Sequence, residues 1–178
     1  MAIQEQYSKY HITPFWANRP ESYRDLEYIQ EEFNDADNLA LWNSQGYGPK
    51  YVGWMCDMRN PQPSWNNQFV EFFEKYQGWK DIGTSYYRMD ARSSLPNHVD
   101  PYKRYIDLFN LKGQEHRIRR ALVLLEDWKS GHYLEVNNEP IVQWKAGDFV
   151  KWTNDTHHLA ANLGIEARYT IQITYVDV

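Results

Sequence analysis

The chain has 178 residues, a formal net charge of -5 and a single cysteine, Cys56. At about 150 residues per domain this length predicts one domain spanning 1–178, and one cysteine excludes an intramolecular disulfide and a Cys-only zinc site. An apolar content of 42% at this low net charge excludes a mainly disordered chain. No stretch approaches about 20 apolar residues and none near the start resembles a secretory leader, so we expect a cytoplasmic protein with no membrane partner.

The N-terminal part, residues 1–80, is predicted to consist of helices and loops. Pro14 and Pro20 interrupt the first twenty residues, which are therefore expected to be irregular. Residues 34–63 are expected to form a long polar and aromatic connection, because glycines and prolines punctuate them throughout.

Two helices are predicted in this part. Acidic residues that follow Pro20 predict a helix over 21–33, and an apolar stripe predicts a second helix over 64–77 that stops at Gly78. The aromatic segment 42–54 between them is expected to pack on the core. A binding platform for substrate is the alternative.

The pattern changes after residue 80, where short apolar runs alternate with turn signals. Aromatic residues make up 16% of the chain, and aromatic and β-branched residues favour strands. The last run alternates cleanly between apolar and polar positions. Antiparallel strands in a barrel or jelly roll are therefore predicted over 82–89, 102–110, 117–125, 132–136, 140–144, 148–152, 157–163 and 168–176.

Residues that can bind metal recur in this β half. His98 and Asp100 are two apart, so on extended backbone both side chains lie on one side. His158, or its neighbour His157, lies far downstream, and Arg168 follows His158 by ten residues. Two imidazoles and one carboxylate form the facial triad of non-haem Fe(II) sites, and an arginine nearby can grip a carboxylate with two nitrogens. The alternative is a loop of solvated histidines with Arg168 at a strand end.

This ordering resembles the 2-oxoglutarate and Fe(II)-dependent oxygenases over residues 82–178. Their prolyl-hydroxylase and aspartyl/asparaginyl-hydroxylase branches are the most similar. The segments that carry the resemblance are Leu95–Asp100, Leu124–Leu134, Ile141–Trp152 and the block from His158 through the run Arg168-Tyr169-Thr170-Ile171.

The resemblance implies an α+β, mainly β fold: a double-stranded β-helix (jelly-roll) core over 81–178 with the N-terminal helices packed on it. It implies Fe(II) as cofactor, with 2-oxoglutarate and O₂ as co-substrates. Carried over position by position, the metal ligands would be His98, Asp100 and His158, and the residues that bind 2-oxoglutarate would be Arg168, Thr170 and Tyr87. His158 is preferred to His157 because of its spacing from Arg168.

The activity so implied is a dioxygenase that hydroxylates a peptide or small-molecule substrate and releases succinate and CO₂. One departure concerns segment 118–125, which lacks the second tyrosine of prolyl hydroxylases and in which Arg120 would fill part of the pocket. Two other functions stay open: a non-catalytic jelly-roll module that binds metal or ligand, and an oxygenase of nucleic acid. The last is motivated by the aromatic segment 42–54 and by a basic cluster, for which a solvated strand edge or intramolecular ion pairs is the preferred interpretation: Lys112, Arg117, Arg119 and Arg120.

Overall fold

The computed structural model describes residues 7–48 and 51–177. The strands of this part are β1 (Tyr7–His11), β2 (Ile29–Glu32), β3 (Tyr51–Asp57), β4 (Lys80–Met89), β5 (Ser93–His98), β6 (Ile118–Leu124), β7 (His132–Val136), β8 (Glu139–Ile141), β9 (Asp148–Thr153), β10 (His158–Asn162) and β11 (Arg168–Val176). Its helices are α1 (Ala36–Ser44), α2 (Asn66–Gln77) and α3 (Lys103–Phe109), with short 3-10 turns at Tyr23–Asp25 and Glu115–Arg117. None of the helices in the described ranges has the length and apolar character that a bilayer span requires.

The strands form two antiparallel sheets that face each other. The larger sheet has the order β1-β9-β6-β11-β4-β3-β2, and the smaller has the order β5-β10-β7-β8. Buried side chains from both sheets meet between them, among them Leu124 and Trp152 of the larger sheet and Leu134 and Val136 of the smaller. The predicted α+β, mainly β jelly roll is therefore confirmed.

Strand β11 shows how the larger sheet divides the molecule. Ile171, Ile173 and Tyr175 belong to the apolar cluster on its outer face. Residues 168, 170, 172 and 174 alternate with them and face the interior between the sheets, because successive side chains of a strand point to opposite faces. A polar row thus lies inside the jelly roll, against the smaller sheet.

Helix α2 covers the outer face of the larger sheet. Its residues Phe69 and Phe73, four apart, are fully buried in the outer cluster. The Phe73 ring stacks on Trp79 with centroids 4.2 Å apart, and Trp79 in turn stacks on Tyr175. Gly78 ends the helix with a left-handed φ of 69°, and its N–H donates to the Phe73 carbonyl. The helix predicted over 64–77 is confirmed.

Two predictions for the first 33 residues are wrong. Residues 7–11 are not irregular but form β1, which pairs with β9; residues 1–6 of that prediction lie outside the described part. The helix over 21–33 is reduced to the turn Tyr23–Asp25, and Ile29–Glu32 forms β2 instead. The backbone groups of β2 find partners in β3, where Ile29 pairs with Met55, so sheet pairing replaces the helix.

The middle of the chain also differs from expectation. The connection 34–63 contains α1 and β3, so the N-terminal part adds strands to the larger sheet as well as helices. The strand predicted over 102–110 is helix α3, and strand β5 was not predicted. The other predicted strands coincide with observed strands to within a few residues.

Candidate metal and co-substrate site

The pairing of β5 with β10 brings the three predicted ligands together. His158 lies directly opposite His98 in the register, and Asp100 follows β5 by two residues. One ligand atom from each side chain lies within 4.8 Å of the other two. Asp100 approaches His98 Nε2 at 3.5 Å through Oδ1 and His158 Nε2 at 3.6 Å through Oδ2. The exposed neighbour His157 contacts Asn97 instead.

Both imidazoles are held with Nε2 toward the shared centre. Nδ1 of His98 lies 2.7 Å from the Pro96 carbonyl, and Nδ1 of His158 lies 3.1 Å from the Thr156 carbonyl. Because a carbonyl oxygen only accepts, each Nδ1 carries a proton, which leaves Nε2 as the nitrogen that can bind a metal, the arrangement that metal-binding histidines use. Nε2 of His98 is buried without a hydrogen-bond partner among the described residues, which fits a divalent cation at this point.

Burial keeps His158 ready to bind metal near neutral pH. Desolvation lowers its pKa to about 4, against the opposing effect of the Asp100 carboxylate, so the imidazole is neutral at pH 7. Aromatic rings supply the dry surroundings: Trp152 lies 5.0 Å from His158, and Phe33 lies 5.0 Å from His98 between ring centroids.

Asp100 has a second partner that the sequence did not assign to it. Arg120 of β6 donates to Asp100 Oδ2 from Nη2 at 2.9 Å and from Nε at 3.2 Å, and to Thr174 Oγ1 from Nη1 at 2.7 Å. Although burial opposes ionisation of Asp100, the charge of this guanidinium holds the pKa of its carboxyl well below the usual range. The ring of Tyr102 covers Arg120 with 4.9 Å from guanidinium carbon to ring centroid.

Arg168 lies inside the jelly roll at the start of β11. It is 7% exposed, its Nη1 donates to the Tyr133 carbonyl of the smaller sheet at 2.8 Å, and its Nε has no hydrogen-bond partner among the described residues. Desolvation lowers its pKa to about 10. The described residues give Arg168 no carboxylate partner. It is therefore a buried cation available to an anionic group.

Thr170 and Tyr87 lie opposite each other in neighbouring strands. Thr170 of β11 is in register with Tyr87 of β4 and is two residues along the interior row from Arg168. Burial raises the pKa of Tyr87 to about 12, so its hydroxyl stays protonated. The adjacent Tyr86 faces the outer core, where its hydroxyl donates to Asn66.

A cavity of about 560 Å³ opens beside the triad. Tyr87, Asp100 and Arg120 contribute to its wall, whereas Arg168 and Thr170 do not. The cavity wall thus joins Tyr87 to the metal ligand Asp100 but does not include Arg168 and Thr170 of β11.

Arg120 and Tyr102 lie at the site although the sequence did not assign them contacts with Asp100, and their sequence signals differ in strength. Arg120, Leu122 and Leu124 lie at alternate positions of β6 and so face the interior together. Arg120 is the charged residue among these apolar ones. A charged side chain on a buried face is rare and indicates a functional site. Tyr102 gave no such signal, because residues 102–110 were taken for a strand.

The structure also divides the basic cluster. Arg120 turns inward, Arg119 pairs with Asp177, and Arg117 donates to Gln114. Intramolecular ion pairing, one of the two forms of the preferred interpretation, holds for Arg119 and Arg120, whereas the exposed Arg117 bonds to a neutral amide.

No family model and no curated protein matches the sequence. Solved structures do match the fold. A 2OG-Fe(II) oxygenase family oxidoreductase from Burkholderia pseudomallei superimposes with a TM-score of 0.54 at 10% identity, covering 86% of this chain and 74% of the other. The chain shares the double-stranded β-helix fold of this oxidoreductase. A prolyl-4-hydroxylase from Pseudomonas putida superimposes with a TM-score of 0.50 at 12% identity, covering 87% of this chain and 95% of that enzyme.

Proposed function

We propose that the protein is an Fe(II)- and 2-oxoglutarate-dependent dioxygenase, in which His98, Asp100 and His158 bind the metal. The observation that carries the proposal is the buried set of three ligand atoms within 4.8 Å of one another, in an oxygenase fold. Two neutral imidazoles and one carboxylate are the donor set that non-haem Fe(II) oxygenases use.

The ligand set also explains why an anionic co-substrate would bind. Fe(II) with one carboxylate leaves a net charge of +1, which attracts a dicarboxylate such as 2-oxoglutarate. Bound iron would supply activation of O₂, coupled to oxidative decarboxylation of 2-oxoglutarate to succinate and CO₂ and to hydroxylation of a small-molecule or peptide substrate. The protein holds the imidazoles by their Nδ1 protons and keeps water away with Trp152 and Phe33.

Arg168 is assigned to the distal carboxylate of 2-oxoglutarate. A guanidinium buried without a carboxylate is costly, and a bidentate contact with a ligand carboxylate offsets that cost. Thr170, on the same interior row, would add a hydroxyl to this carboxylate, and Tyr87 would donate nearer to the metal.

An anaerobic absorbance titration with Fe(II) and then 2-oxoglutarate tests the proposal. We expect a metal-to-ligand charge-transfer band in the wild type, no band in His158→Ala and a weakened band in Arg168→Ala. Two matched controls should retain the wild-type band. They are His157→Ala, which removes the exposed neighbouring imidazole, and Arg117→Ala, which removes an exposed guanidinium.

The outcome separates this function from the alternatives. No band in folded wild-type protein overturns the proposal and favours a binding module without the 2-oxoglutarate reaction. A band that survives in His158→Ala but is lost in His157→Ala would transfer the ligand role to His157. An unchanged band in Arg168→Ala would remove only the co-substrate assignment.

A further inference from the structure

The cavity beside Asp100 is bounded by β2, β3, β4 and α3, and it is separate from the proposed 2-oxoglutarate anchor. Its volume of about 560 Å³ lies in the range of small-molecule sites. Arg168 and Thr170 are absent from its wall, so the space next to the triad is left to the second reactant.

Its inner wall is mainly apolar. Two methionines, two aromatic residues and two leucines line it. They come from four separate elements or their flanking turns: Phe33, Met55, Met58, Leu95, Tyr105 and Leu108. Met55 and Phe33 are buried, whereas Leu108 is 63% exposed. An apolar occupant would cover these surfaces and remove them from water.

The cationic side chains of the wall already have partners. Arg120 pairs with Asp100 at 2.9 Å, and Arg59 and Arg104 each approach Glu31 at 2.7 Å. Lys103 donates to the Asn34 carbonyl at 2.8 Å. Only Arg120 is largely buried, whereas Arg59, Arg104 and Lys103 are about half exposed. An anionic occupant beside the triad would have to break the contact of Arg120 with Asp100 or enter without a buried counter-charge, and both are costly.

Hydrogen-bonding capacity does remain inside the cavity. The Tyr102 hydroxyl is buried with no hydrogen-bond partner among the described residues. This group suits a neutral polar atom on an otherwise apolar molecule, since buried hydroxyl groups are stabilised by hydrogen bonds.

We propose that this cavity binds the primary substrate, and that this substrate is a mainly apolar small molecule without a negative charge. The substrate role rests on the proposed function. The specificity follows from the apolar wall, the prior pairing of the largely buried cation Arg120 and the Tyr102 hydroxyl with free hydrogen-bonding capacity.

Two fluorescent probes that differ chiefly by one sulfonate test the charge preference. N-phenyl-1-naphthylamine is uncharged, whereas 1-anilinonaphthalene-8-sulfonate is an anion of similar size. In titrations of the full chain we expect the neutral probe to bind about tenfold or more tightly than the sulfonate, because the sulfonate finds no free cation. Equal or tighter binding of the sulfonate would overturn the proposed substrate class.

Substitutions at Gly83 locate the binding. A Cβ at Gly83 would lie 3.5 Å from the Tyr105 ring, which is ordinary contact, so Gly83→Ala fits and Gly83→Leu extends into the cavity. We expect Gly83→Leu to weaken binding of the neutral probe by about tenfold or more and Gly83→Ala to change it little. Equal binding to both variants would place the probe elsewhere and overturn the site.

Two leucine substitutions test the same site independently, in case Gly83→Leu does not fold. Leu108 lines the cavity, whereas Leu163 is 78% exposed and is not part of the cavity wall. Leu108→Glu should weaken binding of the neutral probe, and Leu163→Glu should not. Equal effects would overturn the site. These titrations use no iron or 2-oxoglutarate. A charge-transfer band with no cavity-dependent probe binding would therefore overturn the substrate class alone. The reverse result would overturn the dioxygenase proposal, and the substrate role with it, while the apolar binding site would stand.

Discussion

Arg120 contacts Asp100 through a single carboxylate oxygen. Both contacts, at 2.9 and 3.2 Å, involve Oδ2, so Oδ1 stays free of the guanidinium and faces His98. Tyr102 covers Arg120 from a left-handed backbone conformation with φ of 50°, a strained geometry for a tyrosine that often marks a functional position. We infer that Arg120 is a positioning residue that orients one oxygen of Asp100 for the metal.

The first prediction is that Arg120→Gln destabilises the metal-free protein and decreases its stabilisation by metal. Removing the guanidinium leaves a buried carboxylate without its partner, which typically costs about 3–5 kcal/mol. Asp100 also loses the contact that orients it, so it offers Mn(II) a less well placed oxygen. The gain in unfolding temperature on adding Mn(II) should therefore be smaller than in the wild type.

The neighbouring Arg119→Gln is the control, because its ion pair with Asp177 lies at the surface and contributes about 0–1 kcal/mol. The unfolding temperatures of the wild type and the two variants, each measured with EDTA and with Mn(II), give the gain for each protein. A gain in Arg120→Gln as large as in the wild type, or larger, would contradict the positioning role.

His158 gives the second prediction, which concerns pH. Burial lowers its folded-state pKa to about 4, below the ordinary value of 6.5, so the unfolded chain takes up the proton first. The contribution of His158 to stability is complete above pH 6.5 and is lost as pH falls toward 4. From pH 7 to pH 5 the metal-free wild type should lose about 2 kcal/mol of unfolding free energy through this residue.

Urea denaturation in EDTA at the two pH values measures the effect. His158→Gln should lose about 2 kcal/mol less than the wild type over this interval, whereas His157→Gln, which changes an exposed imidazole, should follow the wild type. Parallel losses in the wild type and His158→Gln would contradict the lowered pKa.

At the scale of elements, helix α3 shows that the spacing of apolar residues can predict secondary structure better than residue type. Its aromatic and β-branched residues favoured a strand, but Tyr102, Tyr105, Ile106 and Phe109 are spaced at i, i+3, i+4 and i+7. These four pack together against the end of the larger sheet as one helical face. Periodicity therefore carried more information here than residue type.

Strand β3 could not be predicted from its own sequence. Gly53 suggested a turn, yet it lies inside the strand with φ of 93°, where a Cβ would come within 3.2 Å of the Arg88 carbonyl. The strand forms because β4, far along the chain, supplies its hydrogen-bond partners, with Met55 opposite Tyr87. Such non-local pairing leaves little local signal.

The juxtaposition of the triad is the element-scale feature that the sequence did predict. The same-side projection of residues 98 and 100, together with the resemblance around His158, was enough to name all three side chains. The register of β5 with β10 then places His158 opposite His98. Arg120 and Tyr102 come from other elements, so their contacts with this centre depend on tertiary packing that sequence spacing does not encode.

Across the whole molecule, the larger sheet separates two cores with different tasks. The outer core, which includes Phe73 and Trp79, fixes α2 to the sheet. The inner core, which includes Leu134 and Trp152, lies between the sheets and adjoins the triad through the Trp152 ring, 5.0 Å from His158. Stability and metal binding should therefore respond differently to substitutions on the two faces.

Phe73→Leu and Trp152→Leu test this separation. Phe73 stacks on Trp79 and meets the edge of Phe149, so its replacement should lower the unfolding free energy by about 1–2 kcal/mol. Its affinity for Co(II), followed by absorbance titration, should stay at the wild-type value, because the sheet lies between it and the imidazoles. Trp152→Leu should lower stability and Co(II) affinity together, since the ring that packs against His158 is lost. A fall in Co(II) affinity of Phe73→Leu as large as that of Trp152→Leu would mean that the two cores act as one, and that the orientation of the ligands depends on the packing of α2.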